Sequence, residues 1–569
     1  MILVANARRV AGRVKRKVRR TLKKVVPSPP AQRHGLVEEF TATDLAGWVE
    51  VPADSPAVKV ALYLNHLEVV STWAIDKLPD RRAPGQVRSF RLALRDIWRY
   101  SKKSDRLTVR VNGVPLPIAG YGMYRAPGKD GPSNVESLRK LLDSGRVFGQ
   151  FGRLQLSKSY DVQWQRNVMD VYERVQKVVK REFGYDTFFC YGTLLGAVRE
   201  RGFIGHDLDF DTAFVSAQSD GPSSAAELQQ IGFKLIEAGL DVTCMRTALH
   251  IHDPGTPSAR IDLFHLYFDA EGKLAFPFGV AGTTEITKDE WQGTRDISFA
   301  GGTGQIPVNS LAMVEHIYGA NWRTPKPGFR WQRDRTKRAP GNSMMPVYFG
   351  IEVYWQNFYT FHTTEGTSTF FARMTERPDL PQFVVDLGCG DGRDSCGFAA
   401  TGSRVIGLDH AEAGLRHAEQ HARELSLEDR VDFRECDFRD ADALRGHLRA
   451  ARAECGDAPL LFYGRFLLTA IQPDTQKTVL SALRDDARAG DLLALEFRTD
   501  KDETLRRANP RHFRKLQSSS AVSDELNQYG FTVVDLKEGI GLSPYLTEDP
   551  EVCWLVARFG AAPEEAPPA

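Results

Sequence analysis

At 569 residues the chain is about three to four times the length of a common domain, so one hydrophobic core is excluded and several folding units are expected. A composition of 42% hydrophobic and 26% charged residues, with 48 Gly and 30 Pro, is that of an ordinary globular protein and excludes collagen-like, wholly disordered and multispanning membrane classes. The formal net charge of +2 conceals an asymmetry: ten Lys and Arg residues between Arg8 and Lys24 precede the first acidic residue, Glu38, so everything after Lys24 sums to −8. That acidic body argues against nucleic acid as a partner, because a nucleic-acid channel needs excess Lys and Arg along its walls.

In residues 1–35, Val10, Val14, Val18 and Leu22 recur every four residues among cationic neighbours until Pro27, Pro29 and Pro30 stop the pattern. This reads as a helix in peripheral contact with an anionic membrane; a disordered basic tail or a nucleic-acid arm is the alternative. The seven cysteines are odd in number and form no CxxC pair, which indicates reduced thiols and a cytoplasmic setting rather than disulfides or structural zinc. Residues 36–120 alternate short apolar runs with turn signals such as Asn112-Gly113, the pattern of a small β-sandwich with no chemistry of its own. Gly120 to Pro132 reads as a linker.

The central segment, 133–335, opens with a predicted amphipathic helix on which Val168, Val171, Tyr172, Val175, Val178 and Val179 share one face, ending before Gly184. A buried strand, Phe188 to Tyr191, then runs into glycine. Farther on, Asp207, Asp209 and Asp211 stand at spacing two. On a strand their carboxylates would converge on one face while Leu208 and Phe210 anchor the other. Like charges that close need a counter-ion, and carboxylate-held Mg²⁺ or Mn²⁺ is suited to positioning a phosphate for displacement. Asp262, in another alternating run, is a further candidate metal ligand. Gly192 and Thr193 would offer backbone N–H groups and a hydroxyl to phosphate. His250, His252 and His265 read as core or edge histidines, since a hard carboxylate site favours oxygen ligands.

The run from Tyr191 to Asp211 (YGTLLGAVRERGFIGHDLDFD), with Ile306-Pro307-Val308 and the later YGANWRTP (318–325), resembles the LicD/fukutin family. The resemblance implies a nucleotidyltransferase-like α+β fold and transfer of a phosphorylated group, such as phosphocholine or a polyol phosphate, from a nucleotide-activated, CDP-linked donor to a glycan. By position it implies that Asp207, Asp209 and Asp211 hold metal and act in catalysis, that Gly192 and Thr193 face phosphate, and that Arg199 offsets phosphate charge. Where the bacterial family reads W-D-D-D, this chain has His206-Asp207-Leu208-Asp209, one acidic position fewer, which sets the usual choline donor in doubt.

A composition break, Thr336 to Pro346, precedes the last third, 347–560, where short aliphatic strands alternate with helical segments in a doubly wound α/β rhythm; 561–569 is a Pro/Ala-rich, disordered tail. The loop DLGCGDG (386–392) follows an aliphatic strand. Seventeen residues after Gly392, Asp409 ends the next strand, where a carboxylate can take ribose hydroxyls, and Asp437 follows a third strand, within reach of an adenine amino group. A dinucleotide fits less well, because the loop lacks G-x-G-x-x-G spacing and begins with an acid that would repel pyrophosphate. The combination resembles the class I S-adenosylmethionine-dependent methyltransferases, with Asp386, Gly388, Gly390, Asp409 and Asp437 on the cofactor positions. Further runs, including Trp355 to Tyr359, Tyr463 to Phe466, Glu496 to Thr499 and Arg511 to Arg514, resemble a subgroup found with bacterial surface-polysaccharide genes. Arg465, Arg498 and Arg514 are candidates for acceptor binding, against surface ion pairing, and His512 for a general base in a reaction that needs mainly alignment.

The expectation is a multidomain α/β protein: an N-terminal β-sandwich, a central nucleotidyltransferase-like α+β domain and a C-terminal Rossmann-like doubly wound methyltransferase domain. It would be a bifunctional enzyme acting on a cell-surface or lipid-linked glycan at the cytoplasmic side of the plasma membrane. The alternative is a polysaccharide methyltransferase whose central domain only holds glycan.

Overall fold

The computed structural model describes residues 35–52, 57–78, 86–277, 281–326, 344–502 and 513–560. The basic segment 1–34, most of the expected linker 336–346, the tail 561–569 and His512 lie outside the described residues.

The first unit is a pair of four-stranded antiparallel sheets. In one, Asp44–Val51 lies between Gly35–Phe40 and Gln86–Ala93; in the other, Val58–Leu64 lies between Leu67–Ala74 and Leu107–Val111. Alternation produces the core: Leu45, Val49 and Val51 point inward while their neighbours stay part-exposed. The expected linker is stitched to this sandwich instead. Arg125 and Leu107 exchange backbone hydrogen bonds, both 2.9 Å, and the helix Val135–Asp143 adds Leu138 to the sandwich core, as does Phe148 from the strand Arg146–Phe148. These apolar side chains extend the first unit beyond the boundary at 120.

The central unit begins with α1 (Val162–Phe183), started by the Asp161 side chain accepting from the Trp164 N–H and ended at Gly184, whose φ of 78° suits a left-handed cap. All six apolar positions expected on its inner face are buried. Then follow β1 (Phe188–Phe189), α2 (Tyr191–Leu195), β2 (Asp211–Val215), α3 (Gly221–Glu237), β3 (Asp241–Cys244), β4 (Ala248–His252) and β5 (Arg260–Phe268). The sheet runs β1-β2-β5-β4-β3, with β2 and β5 parallel and β3 at the edge.

Next comes α4 (Val347–Phe361), which the sequence assigns to the last domain. Phe349 and Val353, however, are part of the central core, so the helix that starts at the boundary of 347 also belongs to the central unit. The C-terminal unit contains β6 (Phe383–Leu387), α5 (Arg393–Ala400), β7 (Arg404–Asp409), α6 (Glu412–Glu424), β8 (Val431–Glu435), β9 (Leu460–Arg465), β10 (Leu492–Arg498), β11 (Phe531–Gly539) and β12 (Val552–Phe559). Its sheet order is β8-β7-β6-β9-β10-β12-β11, parallel except for β12, which is antiparallel to both its neighbours. Strand order therefore reverses at β6, the place where doubly wound sheets open a ligand crevice. All seven cysteines are free thiols.

Candidate active sites

Two of the cavities among the described residues hold the expected site residues and are of similar size, about 440 Å³ in the central unit and about 450 Å³ in the C-terminal unit. Each has a non-glycine residue with left-handed backbone in its wall, Tyr191 (φ 37°) in the first and Phe466 (φ 56°) in the second. Such strain persists only where the surroundings impose it, and it gathers at functional sites.

Asp207, Asp209, Asp211 and Asp262 all line the central cavity, together with Gly192, Arg199, Tyr318 and Lys326. They converge by a different route from the one the spacing suggests. Of the three aspartates at spacing two, only Asp211 is on a strand; Asp207 and Asp209 lie in the irregular segment before β2, Leu208 is 40% exposed, and Phe210 alone enters the core. Parallel pairing of β2 with β5 then sets Asp211 opposite Asp262. The start of α2 fixes Asp211 from the other side: the Gly192 N–H donates to its Oδ2 (3.0 Å), and its own N–H donates to Thr193 Oγ1 (2.7 Å). A side chain at residue 192 would push the Asp207 carboxylate aside. Thr193 is 4% exposed, and its hydroxyl oxygen accepts from the Asp211 N–H, which positions that residue. Arg199 does reach the cavity, held by the Trp322 carbonyl (3.2 Å) and by Glu200 (2.7 Å).

The cavity is short of positive charge. Burial, and then Asp209, push Asp207 up to about 6. Burial pushes Asp262 up to about 7, although Arg260 beside it works the other way. Asp211 is raised well above the carboxylate range by burial and by Asp262, Asp207 and Asp209. Burial and Arg199 hold His206 down at about 4, so it adds no charge at neutral pH. Among the described residues no group of three or more His, Cys, Asp or Glu forms a ready-made metal site. Mg²⁺ asks for less, one or two carboxylates with water and phosphate completing its shell. His250 lies 3.6 Å from Asp262 in the cavity wall, His252 pairs with Asp241 (2.9 Å), and His265 is fully buried. The sequence reading missed Arg260, Tyr318 and Lys326. Arg260 carried a signal, two positions from Asp262 on one face of an alternating strand, and so did Tyr318, the first residue of the YGANWRTP run.

In the C-terminal unit, Asp386, Gly388, Asp391, Arg393, Asp394, Arg465 and Arg514 line the crevice, and Tyr354, Trp355, Phe358 and Tyr359 of α4 close one side of it. Asp386 accepts from Ser395 Oγ (2.6 Å), and burial pushes it up to about 8. Asp409 accepts from the N–H groups of Gly390 (2.9 Å) and Ala411 (2.8 Å), which locks the glycine loop to the end of β7. Gly390 (φ 58°) lies under the Tyr359 hydroxyl, and a side chain there would collide with it. Asp437 does not line the cavity; it pairs with Arg439 at 2.7 Å. Arg498 also lines the crevice, where it is held by Asp502 (3.1 Å) and Glu548 (2.5 Å), all three buried. Arg465 reaches the cavity beside buried Glu496 (2.7 Å). Arg393, Asp391 and Tyr463 are cavity residues that the sequence reading missed.

Residues 184–309 match the model of the LicD/FKTN/FKRP nucleotidyltransferase domain, and residues 382–449 match that of a methyltransferase domain. The chain is a fusion of a LicD-type domain with a methyltransferase domain. Similar solved structures include magnesium protoporphyrin IX methyltransferase (ChlM) from Synechocystis PCC 6803 with bound SAM, 19% identical, covering 33% of this chain and 76% of that one with a TM-score of 0.25. Another is the glycopeptide N-methyltransferase MtfA complexed with S-adenosyl-L-methionine, 14% identical, covering 35% of this chain and 91% of that one with a TM-score of 0.27. No curated protein matches the chain.

Proposed function

We propose that the chain is a bifunctional glycan-modifying transferase. Its central site transfers a phosphorylated group from a CDP-linked or similar nucleotide-activated donor, and its C-terminal site methylates the glycan or the phosphate just added, using S-adenosylmethionine. The observation that carries the reading is the convergence of four aspartates on one cavity.

Mg²⁺ or Mn²⁺ between Asp207 and Asp211 would neutralise a diphosphate and make its phosphorus more electrophilic. The chain's own residues account for the rest. Arg199 and Lys326 bring fixed positive charge to the wall, and Gly192 leaves room for the Asp207 carboxylate against backbone. Thr193 holds Asp211 in register. In the second site the buried Asp386 suits a cationic cofactor, and the aromatic side chains of α4 exclude water from it. No helix among the described residues is long and apolar enough to cross a membrane. Work at the cytoplasmic face, with residues 1–34 on anionic lipid, is part of the proposal, as is a cell-surface or lipid-linked glycan acceptor.

The test is to incubate the full chain with Mn²⁺, a panel of CDP-linked compounds, labelled S-adenosylmethionine and a cell-wall glycan extract. Both labels are expected in the glycan, and Asp209→Ala should abolish donor turnover while methylation persists. One observation favours a second reading, in which the central domain only holds glycan: Arg260 already occupies two of the four carboxylates. Methylation with no donor turnover by the wild type would establish that reading instead.

A further inference from the structure

Between Val114 and Tyr124 the β-sandwich turns four large apolar side chains to solvent: Val114, Tyr121, Met123 and Tyr124, each 41–65% exposed. The segment is not loose. Leu116 and Ile118 are buried in the sandwich core, the Ile118 N–H donates to the Gly122 carbonyl (2.6 Å), and the Tyr121 N–H donates to the Ile118 carbonyl (3.0 Å). Gly120 (φ 81°) and Gly122 (φ 78°) supply the left-handed backbone of the tight turn that carries Tyr121. From Ala119 to Tyr124 every residue is exposed and none is charged. An apolar patch held in the open this firmly marks a contact surface.

Its surroundings are cationic. Arg106 lies against the Tyr124 ring (4.7 Å to the centroid) and Arg125 against the Tyr121 ring (4.9 Å). Residues 95–130 hold eight Lys and Arg against three Asp, in a chain that is net acidic after Lys24, and Lys103, Arg106 and Lys129 among them are exposed. The patch also lies beside the point where the most basic segment joins the fold. The strand Gly35–Phe40 opens the described chain; two residues in, the Val37 N–H donates to the Pro117 carbonyl and the Val37 carbonyl accepts from the Ala119 N–H, both 2.9 Å. The ten Lys and Arg between Arg8 and Lys24 are therefore tethered to the edge that displays Tyr121.

We propose that this edge of the β-sandwich contacts the surface of an anionic lipid bilayer, with Tyr121, Met123 and Tyr124 at headgroup level and Lys103, Arg106 and Lys129 over the lipid phosphates. The inference rests on the reading that residues 1–34 meet anionic lipid, and adds a second, apolar contact and a role for the sandwich. Tyrosine suits a bilayer interface, where its ring is in apolar surroundings and its hydroxyl is wet. Stable anchoring takes two signals, and a polybasic stretch with an apolar insertion supplies both. A sugar fits the patch less well. It needs hydrogen-bonding side chains around the rings, and from Ala119 to Tyr124 the two phenol hydroxyls are the only strong ones.

The test is binding of the full chain to vesicles of phosphatidylcholine with and without phosphatidylglycerol, at low and high salt. A parallel measurement places an environment-sensitive fluorophore on Met123→Cys, which labels ahead of the native thiols because six of the seven are buried and Cys244 is half-buried. The wild type is expected to bind the phosphatidylglycerol vesicles, and the fluorophore to shift to the blue and be quenched by lipid-borne nitroxide. Combining Tyr121→Ser, Met123→Ser and Tyr124→Ser should weaken binding about tenfold or more, and the loss should persist at high salt, which screens the basic contacts and not the apolar ones. A folded triple variant that binds as the wild type does, or a fluorophore that vesicles leave unchanged, would overturn the proposal; if deletion of residues 1–34 then abolishes binding, the reading of that segment stands without it. No binding of the wild type to any vesicle would overturn both. A fluorophore that responds to cell-wall glycan and not to vesicles would assign the patch to sugar and end the proposal. Should the triple variant fail to fold, the fluorophore on Met123→Cys decides alone.

Discussion

Gln356 and Asn357 are consecutive residues of one helix, and they hold different halves of the protein. The Gln356 side-chain carbonyl accepts from the Ala413 N–H at the start of α6 (3.1 Å), while Asn357 accepts from the Val242 N–H (2.9 Å) and donates to Asp241 (3.0 Å), both on β3. Successive side chains on a helix point about 100° apart, so α4 turns one stripe to each unit. Glu352 repeats the arrangement a turn earlier, accepting from Gln229 of α3 and from Arg439 of the methyltransferase unit. The same helix supplies the Asn357 amide to the open edge of β3, covering a row of backbone groups that would otherwise seek a partner strand.

A central fragment ending at 346 should therefore be less stable than one ending at 362, because only the longer one retains Phe349, Val353 and the Asn357 bonds. In the full chain, Asn357→Ala leaves the Val242 N–H and the Asp241 carboxylate each short of a partner, at a cost of about 1–3 kcal/mol. Denaturant unfolding monitored in both units would measure it, with the larger effect expected in the central unit.

The contact between Gly390 and Tyr359 gives a sharper test of how α4 closes the second cavity. Gly390→Ala places a methyl group where the Tyr359 hydroxyl stands, in a backbone conformation that alanine itself disfavours. The variant should melt at lower temperature and lose affinity for S-adenosylhomocysteine. Adding Tyr359→Phe removes the obstructing oxygen and should restore part of the melting temperature, while the backbone penalty persists. Melting curves of the single and double variants would measure the relief, which is expected to be partial because ring carbons of residue 359 also meet the new methyl group.

Glycine-loop and carboxylate motifs were readable from sequence because each rests on local geometry: a strand that ends in glycine, an acid at the end of the next strand. The convergence of Asp207, Asp209 and Asp211 was anticipated although the strand that was to produce it is largely absent. What brings Asp262 to them is parallel pairing of β2 with β5, a long-range register that spacing does not encode. Arg498 looked free because its partners, Asp502 and Glu548, come from separate segments and meet it only in the folded chain. The role of α4 was hidden for a similar reason: its apolar residues run nearly all round, which signals burial without saying in which of two cores. Residues 120–148 read as linker and new domain because Gly and Pro mark turns, and a turn packed on a core has the same composition as one between domains.

Asp386 makes the methyltransferase half pH-dependent. Its carboxyl titrates near 8 in the folded protein, far above its ordinary value near 4, because burial disfavours the charge. Between those values the folded state holds a proton that the unfolded state has released, so stability from this group is present below pH 4 and is lost as pH rises toward 8. Asp386→Asn should flatten that part of the stability profile. A sulfonium ligand favours the carboxylate, so its binding should release protons and tighten from pH 6 to 8. Calorimetry in two buffers of different ionisation enthalpy would detect the release, and Asp386→Asn should abolish it.

In the central cavity the same physics sets function against stability. Asp211 is raised far above the carboxylate range by burial and by three neighbouring aspartates, so in the metal-free protein its ionisation near neutral pH is resisted by the fold. Asp211→Asn keeps the shape, keeps an oxygen for the Gly192 N–H, and removes one charge from that cluster. The metal-free variant should accordingly melt above the wild type at pH 7, with the difference shrinking as pH falls toward 4 and the wild-type carboxylate takes up its proton. Donor turnover should move the opposite way. Changes in groups that merely support a metal ligand cost about 10- to 100-fold, and loss of a ligand should cost more. Melting curves with and without Mn²⁺ join the two measurements, since the ion should raise the wild-type midpoint and leave the variant's nearly unmoved. A variant that melts below wild type without metal would mean that Asp211 is held by its hydrogen bonds more than it is strained by its neighbours, and the charge deficit inferred for this cavity would have to be abandoned.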